Sequence, residues 1–251
     1  MASWLRRMLA YPGSAMSYGF AGTALTTHPD FGQPVSYQFE TMPDDPDAQV
    51  RFAIHRAIRL QLDDVSKPVI QQYAARALDL GGGDPIAGVW KAVKPFIRFR
   101  QDLDIAADLQ IDDVTYRRAS GQSRQDLVET FIPPAVQAML IQLRGSGVED
   151  CDGFTMFAGC LLRALGVPVS MCTVSAERDR PRLFSHVYLV AYWNGQRVPM
   201  DLSHGPYPGW ECPNLDRMRE WPVNEDTLRP SMFWPLLIAG AAGVWLAGRA
   251  R

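Results

Sequence analysis

The dipeptide Asn194-Gly195 constrains the fold more than any other short feature of the sequence. Asn-Gly between two runs of strand-forming residues is the strongest short signal for a tight β-hairpin, because both residues tolerate the left-handed backbone of the turn. The flanking runs, 184–192 and 196–202, have strand composition. The sequence therefore predicts an antiparallel hairpin here.

The hairpin also predicts which side chains meet. A two-residue loop pairs Trp193 with Gln196, and counting outward puts Asp201 diagonal to His186 on the same face. Diagonal neighbours lie about 7–8 Å apart at the backbone, a gap that longer side chains bridge. A carboxylate there accepts the imidazole proton and fixes the tautomer. A bulge at Pro199 would shift this register.

A helix with a cysteine in its first turn precedes the hairpin. Apolar residues at helical spacing follow Cys151, Gly166 closes the helix, and Pro168 prevents its continuation. The positive end of a helix dipole lowers the pKa of a nearby thiol, whereas the flanking Asp150 and Asp152 oppose that effect. Cys151 is therefore a candidate nucleophile.

Three amphipathic helices are predicted ahead of this segment. The first covers 46–62, with apolar residues at four-residue spacing. Ser66 as a cap and Pro68 in the first turn open the second. Asp84 and Pro85 open the third in the same way. The predicted fold class is α+β, with a helical N-terminal half and a nucleophile helix packed on an antiparallel sheet.

Composition excludes several classes of protein. The 251 residues are 47% hydrophobic and carry a net charge of -2, which argues against a disordered chain and against nucleic acid as a partner. The 4 cysteines include no Cys-x-x-Cys pair, so we predict no structural metal, no cofactor and no disulfide scaffold. Cys160 and Cys172 fall in apolar patterns and are interpreted as core residues.

The two ends of the chain differ from the middle. Residues 1–45 are rich in Gly, Pro, Ser and Thr and are expected to form an irregular arm, without a cleaved signal. Residues 231–251 are expected to form an apolar helix, since 232–248 contains no charge. That run spans about 25 Å as a helix, near the bilayer core of about 30 Å. It is interpreted either as a membrane anchor or as a helix held by the domain or by a partner protein.

The order of a helix-start cysteine, a strand histidine and an aspartate on the paired strand resembles the transglutaminase-like branch of the papain-type cysteine enzymes. The matching segments are 149–153 (Glu-Asp-Cys-Asp-Gly), 160–168 (Cys-Leu-Leu-Arg-Ala-Leu-Gly-Val-Pro), 185–188 (Ser-His-Val-Tyr) and 198–201 (Val-Pro-Met-Asp). Glu149 departs from the pattern, which has glycine there. The helical residues before this region are similar to bacteriophage and prophage members.

The resemblance implies a papain-like domain over 46–230, with a helical lead-in at 46–144 and a catalytic core at 145–205. It implies a triad of Cys151, His186 and Asp201 that hydrolyses peptide or isopeptide amides or transfers their acyl groups. It also implies a peptide or protein amide substrate and, from the phage members, a virion setting. The uncharged run at 232–248 separately predicts contact with a membrane or with phage structural proteins.

Several alternatives remain open from the sequence. The same fold without turnover would suit a virion or envelope assembly component. A metal site would use Cys151, His186, Asp201 and His204 as ligands. His204 is also a rival general base. The backbone N–H of Cys151 is one expected oxyanion donor, and the candidates for the second are Gln137, Gln142 and Trp90.

Overall fold

The computed structural model describes residues 21–27, 34–41, 45–100, 128–214 and 216–229, which form an α+β fold. Its α-helices are α1 (Pro46–Asp64), α2 (Pro68–Leu80), α3 (Pro85–Val93), α4 (Pro134–Arg144) and α5 (Cys151–Ala164). Its strands are β1 (Ala21–Thr27), β2 (Pro34–Thr41), β3 (Ile97–Phe99), β4 (Val128–Phe131), β5 (Gly147–Glu149), β6 (Val169–Val174), β7 (His186–Trp193), β8 (Gln196–Met200) and β9 (Met218–Pro222).

The main sheet is antiparallel, with strand order β8-β7-β6-β9. Helix α5 packs against β6 and β7 on one side and against α1, α2 and α3 on the other. Residues 152–162 of α5 are all buried, and its Phe154, Phe157 and Leu161 belong to the main hydrophobic core. The predicted packing of a nucleophile helix on an antiparallel sheet is therefore present.

The predicted hairpin forms with the predicted register. Asn194 and Gly195 both have positive φ, 51° and 73°, as a type I′ turn requires. Trp193 pairs with Gln196, and the pairing continues without a bulge through Pro199 to Met200. The structure thus places Asp201 one residue beyond the end of β8.

Local capping explains most helix starts. The carboxylates of Asp45, Asp84 and Asp150 accept hydrogen bonds from backbone N–H groups in the first turns of α1, α3 and α5. The prediction that Ser66 caps α2 is wrong, because the N-cap position is Lys67 and its side chain makes no capping bond. The short turn from α1 sets this start, since the Lys67 N–H donates to the Asp64 carbonyl.

The expectation of an irregular arm over 1–45 is wrong in part. Strands β1 and β2 lie within it and pair antiparallel with each other, and β2 pairs with β4. The residues of β2 include Val35, Tyr37 and Phe39, which favour strands. The partner β4 lies about 90 positions away, and such a long-range pairing leaves no local signal in the sequence. The remaining residues of the arm lie outside the described residues.

The predicted apolar helix over 231–251 also lies outside the described residues. Within the described ranges, no helix has the length and apolarity needed to cross a bilayer.

A buried carboxylate joins α1 to α4. One oxygen of Asp64 accepts a hydrogen bond from the Ala135 N–H at 2.7 Å, and the other lies 2.5 Å from the Lys67 ammonium. The side chain of Asp64 is only 3% exposed. It therefore serves an otherwise unsatisfied N–H at the start of α4, where the first backbone donors of a helix have no intrahelical partner.

Removing this carboxylate should destabilise the fold. We expect Asp64→Ala to lower the free energy of unfolding by about 2–3 kcal/mol, because a buried donor loses a charged acceptor. Urea denaturation followed by circular dichroism measures the change. The neighbouring Asp63 is exposed, so Asp63→Ala serves as the matched control and should stay close to wild type. Equal losses in the two variants would contradict this role of Asp64.

Candidate active site

Cys151 is the first residue of α5 and lies half-buried against the main core. The Asp150 carboxylate caps the helix by accepting hydrogen bonds from the N–H groups of Asp152 at 3.0 Å and Gly153 at 3.5 Å. The thiol is therefore placed at the positive end of the helix dipole, where negative charge is stabilised. The structure therefore places Cys151 in the first turn of its helix, as the sequence predicts.

Glu149 supports the backbone just before the cysteine. Its buried carboxylate accepts a hydrogen bond from the Ile132 N–H at 2.6 Å, and its carbonyl accepts one from the Arg100 N–H at 3.0 Å. The absence of a side chain at Gly153 makes room for it, since an added Cβ there would lie 2.4 Å from the Glu149 carboxyl carbon. Glu149 thus connects the segments after β3 and β4 to the start of α5.

The hydroxyl of Thr155 links the first turn of α5 to β7. Its Oγ1 lies 2.8 Å from the Cys151 carbonyl oxygen and 3.4 Å from the Val187 carbonyl oxygen. Val187 lies beyond Leu189, where the pairing of β7 with β8 ends. Because Val187 follows His186, this contact brings the cysteine-bearing turn next to the histidine-bearing end of β7.

His186 and Asp201 form a buried pair. The His186 Nε2 lies 2.8 Å from Asp201 Oδ2, and Asp201 is fully buried. A carboxylate only accepts hydrogen bonds, so Nε2 is the donor and the neutral ring has its lone pair on Nδ1. The Tyr188 ring stacks at 6.2 Å from the imidazole and supports its orientation. The diagonal contact predicted from the hairpin is present.

Two nearby hydrogen-bond donors contact the other oxygen of the Asp201 carboxylate. Its Oδ1 accepts hydrogen bonds from the His204 backbone N–H at 2.9 Å and from the Ser203 hydroxyl at 3.0 Å. Burial alone would raise the pKa of Asp201, but the hydrogen bond and charge of His186, with these two donors, hold that pKa below its ordinary value. Asp201 is therefore an ionised partner that orients His186.

His204, the rival base, has a different position. Its ring is exposed and contacts the His186 ring edge-on at 4.9 Å. Because the Ser203 hydroxyl donates its proton to Asp201, it accepts a hydrogen bond from Nδ1–H of His204 at 2.9 Å. Burial, followed by the charge of His186, lowers the pKa of His204. It is the backbone of His204 that bonds to Asp201, so the carboxylate orients the His186 ring and not this one.

The three candidates for a second oxyanion donor are spread over two helices. Gln142 is exposed on α4, and Gln137 is buried beneath Gly147. Trp90 lies on α3 below the Lys94 ammonium, which is 5.2 Å from the indole ring and donates to the Leu202 carbonyl at 2.9 Å. This last contact ties α3 to the segment after Asp201.

Cys212 belongs to the site but was not identified from the sequence. Its Sγ lies within 4.8 Å of the ligand atoms of His186 and Asp201. This group shares those two residues with the predicted metal set and has Cys212 in place of Cys151 and His204. Burial, then the charge of Asp201, raises the pKa of this thiol to about 11. Cys212 lies in a coil segment without a spacing motif, so only the fold brings it here.

Comparisons with protein-family models, with curated proteins and with solved structures give no match.

The His186–Asp201 pair should make stability depend on pH. A carboxylate with a lowered folded pKa stabilises the protein above its unfolded pKa of about 3.9, and that stabilisation is lost as the pH falls through the folded value. We therefore expect Asp201→Asn to be less stable than wild type at about pH 5, with the two converging as the pH falls from about 4 through the lowered pKa of Asp201. Urea denaturation at each pH measures the difference. Asp179→Asn, in an exposed loop, should follow wild type, and a gap that does not vary with pH would contradict the assignment.

Proposed function

We propose that this protein is a transglutaminase-like cysteine hydrolase or acyl transferase that acts on peptide or isopeptide amides. The observation that carries the proposal is the buried 2.8 Å hydrogen bond between His186 and Asp201. His186 is the first residue of β7, and the Thr155 hydroxyl links this end of the strand to the helical turn that contains Cys151. The packing of α5 on the antiparallel sheet supports a papain-like core for residues 46–230.

The tautomer of His186 defines the direction of proton transfer. Because Nε2–H donates to Asp201, Nδ1 has the lone pair and accepts the Cys151 thiol proton. The sulfur then forms a bond to the amide carbonyl carbon, and the carbonyl π electrons move to oxygen. The Cys151 backbone N–H and a second donor, for which Gln137, Gln142 and Trp90 are the candidates, stabilise this oxyanion.

Collapse of the tetrahedral species breaks the carbon–nitrogen bond. The leaving amine takes the proton from Nδ1 of His186, and a thioester to Cys151 remains. Nδ1 next accepts a proton from the second nucleophile as that nucleophile attacks the thioester carbon. The carbon–sulfur bond then breaks, and the proton passes from Nδ1 to the released Cys151 sulfur. Water gives hydrolysis and a primary amine gives transfer, while Asp201 stabilises the imidazolium in both steps.

The reactivity of Cys151 tests the site without knowledge of the substrate. Iodoacetamide labelling across pH 5–9, followed by mass spectrometry, measures the rate at each cysteine. At pH 7 we expect Cys151 to react at least about 100-fold faster than Cys212, because only its thiol would be largely ionised. Cys160 and Cys172 are buried and should not react.

The histidine variant provides the control for this labelling. His186→Ala should shift the reactivity of Cys151 toward that of an ordinary thiol with a pKa of about 8.5, since the imidazolium partner is lost. Ordinary reactivity of Cys151 in the wild-type protein would contradict the enzyme hypothesis and favour an assembly component with the same fold.

Turnover can be measured with casein and a biotinylated primary amine, scoring peptide release and amine incorporation separately. Cys151→Ala should lower either activity more than about 1,000-fold, because the nucleophile is removed. His186→Ala should also lower activity severely, and Asp201→Asn should lower it by a smaller factor. Cys160→Ala should lower stability but retain activity. Greater damage from His204→Ala than from His186→Ala would mean that His204 is the base.

A further inference from the structure

The polar groups around His186 include a second thiol that the proposed reaction does not use. One ring nitrogen of His186, a carboxylate oxygen of Asp201 and the Cys212 sulfur all lie within 4.8 Å of one another. His186 and Asp201 are buried, and Cys212 is half-buried. Nitrogen, oxygen and sulfur donors in one small cluster are the ligand set that zinc accepts.

Separate contacts hold each ligand in place. Asp201 is fixed through Oδ1 by the donors after β8, and its Oδ2 faces His186. The residue before Cys212 is Glu211, whose carboxylate accepts hydrogen bonds from the Tyr188 hydroxyl at 2.6 Å and from the Arg197 guanidinium at 2.6 Å. These contacts anchor the coil to the main sheet, so the three ligands are ordered by the fold itself.

The spacing suits a zinc-sized cation. Bonds of about 2.0–2.3 Å in a tetrahedral arrangement put ligand atoms about 3.3–3.7 Å from one another. The His186 and Asp201 atoms, now 2.8 Å apart, would separate by about 0.5–0.9 Å, and Cys212 would approach by at most about 1.5 Å. Hard cations such as Ca²⁺ and Mg²⁺ prefer sites made of oxygen alone, so the thiol disfavours them.

We propose that His186, Asp201 and Cys212 bind a zinc-like divalent cation and that the bound metal switches off the cysteine chemistry. The inhibitory part rests on the function proposed above, whereas the binding part does not. On coordination the Cys212 S–H bond breaks, its electron pair binds the metal, and the proton goes to solvent. For a metal to bind Nε2 of His186, the single ring proton moves to Nδ1 by exchange with solvent, so the ring stays neutral and Nδ1 loses its lone pair. No oxidation or reduction takes place.

Inhibition follows because both uses need the same side chains. While a cation binds the His186 ring and the Asp201 carboxylate, Asp201 no longer orients the ring. His186 then cannot accept the Cys151 proton. With three protein ligands, the fourth position of the metal remains for water. The cation would therefore act as a reversible blocker of the base rather than as a fold-stabilising metal.

Cobalt is the spectroscopic probe for this site. Full-length, reduced, chelator-treated protein is titrated with Co²⁺, and the near-ultraviolet thiolate-to-metal charge-transfer band is recorded. Wild-type protein should develop the band with one equivalent of metal, and Zn²⁺ should displace it. Cys212→Ser should abolish the band. Cys172→Ser is the control, because Cys172 lies in the buried hydrophobic cluster against which Cys212 packs, and this variant should retain the band.

The cysteine variants decide which thiol binds the metal. Cys151→Ser should retain the band. If Cys151→Ser loses the band while Cys212→Ser keeps it, the proposed ligand set is wrong. Absence of the band in wild-type protein would overturn the site altogether. Circular dichroism of each variant shows that a lost band does not come from unfolding.

The inhibitory part is measured by Cys151 alkylation with and without Zn²⁺, each protein being compared with its own metal-free rate. Zinc should slow wild-type alkylation at least about tenfold and leave the rate of Cys212→Ser unchanged. Equal inhibition of both would overturn the switch. Slow alkylation in metal-free wild-type protein would instead refute the cysteine enzyme, and the cobalt band would still report on the metal site.

Discussion

The burial of α5 is the constraint on which the rest of the structure depends. Its residues 152–162 are all buried between the main sheet and the preceding helices. A helix covered on all sides can neither rotate nor slide without opening cavities in a close-packed core. Its first turn, and with it Cys151, is therefore fixed relative to β7, and the Thr155 hydroxyl marks that contact.

Three buried carboxylates hold the segments around this helix. Asp64 serves the start of α4, Glu149 serves the Ile132 N–H before α4, and Asp201 binds His186 and the residues after β8. Burying a charge is costly unless it has hydrogen-bond partners. Asp64 and Glu149 each accept a hydrogen bond from a backbone N–H, and these bonds fix loops that side-chain packing alone would leave less well defined. Asp201 does the same and also acts in the candidate site.

The two proposals give the buried His186 side chain two mutually exclusive roles. In the proposed reaction, Nε2 stays bonded to Asp201 and Nδ1 acts as a base toward the start of α5. With a cation among His186, Asp201 and Cys212, that base is occupied. The Tyr188–Glu211–Arg197 hydrogen bonds keep Cys212 near the pair, so the sheet that positions the base also positions the competing ligand. The two proposals therefore link cysteine chemistry and metal binding through one imidazole.

The sequence by itself determined the features that short-range interactions control. Asp84 and Asp150 cap helices within three residues, and the Asn-Gly turn sets a pairing whose period of two puts His186 beside Asp201. The strands within 21–41 and the position of Cys212 could not be found in this way, because their partners are far along the chain or across irregular coil. The tertiary structure decided those, since long-range pairing depends on how whole elements pack and leaves no local periodicity in the sequence.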